Sequence, residues 1–224
     1  MQTRSSEPRA RKRARHLILF LAANPRGSDP LKLAEECAEI QRELQMTMHR
    51  DDLRFESRWV VSVDELMRHL LELDPAVIHF SGHGSSGGLL LHREHADRKE
   101  QGWLVPPRAL AMIVAAAAQS TRVVVLNACY SAALAETLRS AVDCVVGMDG
   151  AIGDAAARAF AIRFYAALGS RRSIGNAVAQ GVAALAAKLL PDELLPRCLT
   201  RDGIDANDIV LGKRVALGGG DAPV

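Results

Sequence analysis

The sequence predicts an α/β protein, a three-layer αβα sandwich with a mostly parallel sheet, and three observations carry the prediction. Short apolar runs rich in β-branched residues, Ala76-Val77-Ile78 and Val123-Val124-Val125-Leu126, read as strands buried on both faces, the habit of a parallel sheet. Stretches of helical periodicity separate them, which implies right-handed crossovers that lay helices on both faces. The chain has 224 residues, 49% of them hydrophobic, enough to bury one core of that size.

Each element follows from local pattern. Residues 17–23 form a first strand. The basic residues before it give the segment the outline of a secretory signal, but the apolar run is at the short limit for one, and its removal would strip the sheet of a central member. Asn24 to Pro30 is loop chemistry, with Asp29 as N-cap and Pro30 at the first helical position. Leu33, Cys37, Ile40, Leu44 and Met48 recur at three- and four-residue steps, so a helix follows and Cys37 is a core thiol. Residues 53–61 alternate as a second strand, and Leu66, Leu70 and Leu73 mark a helix over 63–73. A third strand ends at a histidine motif. Residues 85–105 read as a β-hairpin with a polar tip over Arg93 to Gln101. Pro106 and Pro107 open an alanine-rich helix to 118, a strand ends at a cysteine motif, and a helix covers 132–140. Cys144-Val145-Val146 is a fifth core strand, and helices over 153–168 and 173–189 carry Ala155, Ala159, Ile162 and Ile174, Val178, Val182, Leu185. The expected division is a basic tail over 1–14, a folded domain over 15–214 and a glycine-rich tail over 215–224.

Composition excludes several functions. The net charge of +2 is too small for a nucleic-acid surface, and the basic cluster from Arg4 to Arg15 lacks interleaved aromatics for base stacking. No apolar run approaches the ~18 residues that span a bilayer. Cys37, Cys129, Cys144 and Cys198 are widely spaced, with no C-x-x-C pair, which fits a reducing cytoplasm and no disulfide framework. Asn24-Pro25-Arg26-Gly27-Ser28 holds one glycine and no G-x-x-x-x-G-K pattern, so a phosphate cradle is unsupported and no cofactor is expected.

Two motifs carry the chemistry. His79-Phe80-Ser81-Gly82-His83-Gly84 and Leu126-Asn127-Ala128-Cys129-Tyr130-Ser131 each end an apolar run, which delivers one histidine and one cysteine to strand ends. In open parallel sheets, sites form at those carboxyl ends. A Cys-His dyad needs this pairing: Cys129 as nucleophile, and His83 as the base or ion-pair partner that lowers the thiol pKa and protonates the leaving amine. The backbone amides of Gly84 and Cys129 are the natural oxyanion donors. The competing reading of Cys129 is a buried core thiol. His79 and Ser81 share a face with His83 by the period of two, which would let His79 support the site from beneath; a hydrogen-bonded core histidine is the favoured reading. A metal site from His79, His83, His92 and His95 lacks a carboxylate or thiolate at a recognised spacing, so none is expected. No acid among Asp64, Glu65 and Asp74 stands out as an orienter of His83.

The strand-terminal S-G-H-G paired with a strand-terminal N-A-C-x-S resembles the CHAT proteases, bacterial relatives of caspases and separase. The resemblance covers residues 15 to 212 and extends to Leu19-Phe20-Leu21-Ala22-Ala23-Asn24-Pro25 and to Val145-Val146-Gly147-Met148 through Ala155 to Tyr165. It implies a caspase-like fold and a cysteine endopeptidase that cleaves protein substrates. It also implies an effector in a bacterial conflict or programmed-death system, activated by a sensor or adaptor protein. Caspase-like relatives that cut after Arg or Lys carry an acid two positions before the nucleophile, where this chain has the neutral Asn127. Asp149 and Asp154, just past the fifth strand, are the alternative carboxylates for a cationic side chain. A helix-terminal and a turn role, respectively, compete for Asp154 and Asp149. A second function class, a catalytically silent interaction module on the same fold, stands beside the peptidase.

Overall fold

A computed structural model describes residues 16–93 and 102–211. The basic tail, the hairpin tip over 94–101, including His95, and the segment after 211 lie outside the described residues.

Six strands form the main sheet in the order β2-β1-β3-β7-β8-β9: β1 His16–Ala23, β2 Leu53–Trp59, β3 Val77–Gly82, β7 Val123–Asn127, β8 Cys144–Met148 and β9 Pro196–Thr200. The first five run parallel, as their apolar, β-branched composition requires. The last, β9, runs antiparallel to β8 at the edge. It was not legible in the sequence, because the segment Pro-Arg-Cys-Leu-Thr is only half-buried and shows no apolar run. A second, three-stranded sheet follows β3 directly and comprises β4 Gly84–Ser85, β5 Gly88–Leu91 and β6 Trp103–Val105. The expected hairpin is β5 with β6.

Six helices cover the main sheet, and alternation along each strand sorts its side chains between them. Ile18, Phe20, Val77, Val123, Val125 and Val146 pack with α1 (Leu33–Met46), α5 (Asp154–Gly169) and α6 (Ile174–Ala187). Leu19, Leu21, Ile78, Phe80, Val124 and Leu126 pack with α2 (Val63–Leu73), α3 (Pro107–Ala117) and α4 (Ala132–Leu138). That is the three-layer sandwich. Helix α2 starts with a capping box between Ser62 and Glu65, and α3 starts with Pro107 after Pro106.

The start of α1 departs from expectation. Its first residue is Leu33, with Lys32 as N-cap and no side-chain cap of its own. Asp29 is not the cap, because the loop it belongs to is held against the ends of β1 and β3. The orphan Lys32 N–H is instead satisfied across the fold by Asp154 Oδ1 at 3.3 Å. Cys37 is buried in the α1 stripe, and burial pushes its thiol pKa up.

Candidate active site

Register places the two motifs side by side. Ser81 pairs with Asn127 across the parallel ladder of β3 and β7, so His83 and Cys129 each lie two residues beyond the same rung. The chains remain in contact there: a Cβ added at Gly84 would stand 2.7 Å from the Cys129 carbonyl oxygen and 3.0 Å from Ala128 Cβ. Glycine is required by that approach. Immediately after Cys129 the chain bends through Tyr130 at φ 53°, a left-handed conformation that costs about 1–2 kcal/mol outside glycine. The Tyr130 N–H donates to Gly150 O at 2.8 Å, which anchors the bend to the loop after β8. The same loop supplies the acceptor for the Cys129 thiol, Ile152 O at 3.6 Å.

His83 is oriented by backbone. Its Nε2 lies 2.9 Å from the Asp29 carbonyl oxygen, and because that oxygen only accepts, Nε2 carries the proton and Nδ1 keeps its lone pair. The Asn24 side-chain oxygen sits 3.2 Å from Nε2 as a second acceptor for that proton, and it also accepts from Ser28 Oγ at 3.1 Å, which holds the loop. Among the described residues, no carboxylate takes the orienting place. Asp64 opens α2, Glu65 completes the capping box, and Asp74 accepts from Ser120 N–H and Oγ. The sequence signal for the Asp29 carbonyl was the loop itself, whose Pro25, Gly27 and Pro30 mark a tight, built turn, although a backbone acceptor leaves no side-chain signature.

The second amide near the site is that of Gly84. Leu90 N–H donates to His83 O at 3.0 Å, which makes His83 and Leu90 the hydrogen-bonded pair of the small sheet. Pairs alternate along an antiparallel ladder, so Gly84, opposite Leu89, is the non-bonded member, and its N–H faces away from β5.

Beneath the motifs lies a buried polar cluster whose centre the sequence reading missed. Glu36, 3% exposed, reaches from α1 to the sheet face that carries His79, Ser81 and Asn127. Its Oε1 accepts from Asn127 Nδ2 at 2.7 Å and sits 3.0 Å from His79 Nε2, and its Oε2 accepts from Ser81 Oγ. His79 is fully buried, stacked on Phe20 and 3.0 Å from the Tyr165 hydroxyl through Nδ1. It is the core histidine expected. Desolvation beside Glu36 pushes the Tyr165 hydroxyl pKa well up. A glutamate within an apolar helical stripe was the available signal, since a charge is buried only when it is paired.

The three residues considered for specificity are dispersed. Asn127 turns inward to Glu36 and to Ala157 O at 3.2 Å. Asp149 is half-exposed and paired with Arg197 at 2.8 Å. Asp154 begins α5 on the loop that carries Ile152, and meets Lys32 N–H and, at 3.5 Å, Arg158. Among the described residues, no group of His, Cys, Asp and Glu comes together to hold a metal ion, and no helix is long and apolar enough to cross a membrane. His92 accepts the Asn24 N–H at Nε2, 3.2 Å, and burial lowers its pKa.

Comparison with known proteins agrees with this architecture. A family model described as a CHAT domain matches residues 1–192. No curated protein matches the chain. Among solved structures, a secreted C11 cysteine protease from Bacteroides thetaiotaomicron, in complex with an irreversible peptide inhibitor, superposes with TM-score 0.54 at 15% identity over 77% of this chain and 59% of its own. The Arg-specific cysteine proteinase gingipain R superposes at 0.55, with 11% identity over 82% of this chain and 45% of its own. The Drosophila initiator caspase Dronc gives 0.56, with 9% identity over 85% and 81%. The likeness at these identities is one of fold. The chain spans less than two thirds of the length of the first two proteins.

Proposed function

Because the chain belongs to the CHAT-domain family, we propose that it is a cysteine endopeptidase in which Cys129 and His83 form the catalytic dyad. The observation that carries this reading is the shared rung of Ser81 and Asn127, which brings both residues to the carboxyl ends of adjacent central strands, with the proton of His83 Nε2 held by the Asp29 carbonyl. Nδ1 is then the free base. It takes the Cys129 proton, and the thiolate attacks the peptide carbonyl while the imidazolium is stabilised by Asp29 O. The oxyanion is received by the N–H groups of Gly84 and Cys129. Collapse breaks the C–N bond, Nδ1–H protonates the leaving amine, and water hydrolyses the thioester.

The substrate is a protein, as it is for the peptidases of this fold. Asp154, which opens α5 directly after the loop that carries the acceptor of the Cys129 thiol, is the carboxylate we assign to meet a cationic side chain before the cut bond. That thiol donates to Ile152 O, so a shift of the loop that releases it would favour transfer of its proton to His83. A sensor or adaptor protein that moves the loop would couple the enzyme to a bacterial conflict or death response. The test is the rate of Cys129 alkylation near neutral pH, together with peptide cleavage. Both fall when His83 is replaced by alanine if the dyad operates, and neither changes if Cys129 is a core thiol.

A further inference from the structure

The small sheet borders an open cavity that neither the dyad nor the oxyanion donors use. Its volume is about 370 Å³, and its lining includes Val63 and Asp64 at the start of α2, His92 and Arg93 after β5, and Trp103 in β6. Its place follows from three contacts. The Val61 carbonyl accepts from His92 N–H at 2.9 Å, which sets the cavity over the ends of β1 and β2. His92 Nε2 accepts at 3.2 Å from the backbone N–H of Asn24, the residue whose side chain borders His83. A Cβ at Gly102 would stand 2.7 Å from Pro25 Cγ, so β6 begins against the same loop. In the strand order β2-β1-β3-β7, the cavity and Cys129 therefore lie on opposite sides of His83.

That order has a chemical meaning. The group that protonates the leaving amine must face it, so the half of the substrate that departs lies on the His83 side of the scissile bond. The indole of Trp103 is half-exposed, and the Arg93 guanidinium already stacks on it at 5.0 Å from the ring centroid. An aromatic ring can displace that cation or cover the half of the indole left open to solvent, by stacking and by burial of apolar area. Asp64 and His92 line the same wall, so the cavity sets polar groups beside the indole.

We propose that this cavity is the subsite for an aromatic side chain of the substrate's leaving half, with Trp103 as its stacking platform. The inference rests on the peptidase reading for its direction, but binding tests it without catalysis. The chain has two tryptophans, so the Trp59→Phe/Cys129→Ala protein keeps Trp103 as its single indole. Alanine-based pentapeptides carrying one tyrosine or phenylalanine are titrated against it and compared with the all-alanine peptide, and Trp103 fluorescence is recorded. The expected result is a saturable change for the aromatic peptides at about tenfold lower concentration or better. An equal response, or none, overturns the proposal. In the catalytically intact protein, the preference for an aromatic residue after the cut falls toward unity with Trp103→Ala; a preference that persists also overturns it. Cleavage without aromatic preference removes the subsite and leaves the peptidase. Aromatic binding with neither cleavage nor His83-dependent alkylation of Cys129 keeps the cavity as a binding site and removes the peptidase reading.

Discussion

Ser81 stands opposite Asn127 in adjacent parallel strands, and both side chains hydrogen-bond the same buried carboxylate, that of Glu36. The rung that sets the registration of the two candidate catalytic residues is thus tied from below by a helix. The loop leading into that helix supplies the carbonyl that orients His83. One element, α1 with its entry loop, fixes the base from two directions.

Removing the Glu36 carboxylate leaves three donors without their acceptor in the core. Glu36→Ala is expected to cost about 3 kcal/mol or more, read as a drop in the urea midpoint. Glu36→Gln keeps the volume and one acceptor oxygen and is expected to lose less. Equal, small losses for both would contradict the assignment of the carboxylate as the hub of the cluster.

Gly84 tests the oxyanion geometry. A methyl group at this position must displace the Cys129 carbonyl or the Gly84 backbone itself. Gly84→Ala is therefore expected to lower kcat/KM about 10²-fold or more, the scale of losing one oxyanion donor. The check is steady-state hydrolysis of a peptide substrate with the folded state confirmed by circular dichroism.

The four cysteines give an internal control in alkylation mapped by mass spectrometry. Cys129 is expected to label first. Cys37, buried and with its pKa raised, labels only on unfolding. Cys198, whose pKa is lowered by the hydrogen bond from Cys144 at 3.3 Å, is the second thiol to react. His83→Ala slows Cys129 and leaves Cys198 unchanged.

Acid sensitivity follows from His92 and His69. Burial lowers both pKa values below the ordinary 6.5; the Arg58 and Arg68 charges add to the effect at His69. The unfolded chain then binds more protons than the folded one, so this stability is present above about pH 6.5 and is lost as pH falls through the folded pKa values. Protonation also removes the acceptor for Asn24 N–H. The melting temperature is expected to fall between pH 7 and pH 5, and His92→Gln is expected to flatten that fall.

The layered fold was legible because buried parallel strands leave long apolar signatures: Ala76 to Phe80 and Val123 to Leu126 could be nothing else once helices were read between them. Cys37 and His79 as core groups were legible for the same reason, through periodicity. Edge strand β9 was not, since a half-buried antiparallel strand needs no apolar run. The Glu36 cluster was invisible for another reason: it joins residues 36, 79, 81, 127 and 165 through tertiary contacts alone. The role of Asp29 was misread, because its functional atom is a carbonyl oxygen common to every residue.

The most direct test of the central claim is digestion of a peptide library by the wild-type protein and by Cys129→Ala, read by mass spectrometry. The dyad predicts cut products that disappear in the variant. Identical product patterns from the two proteins would contradict it.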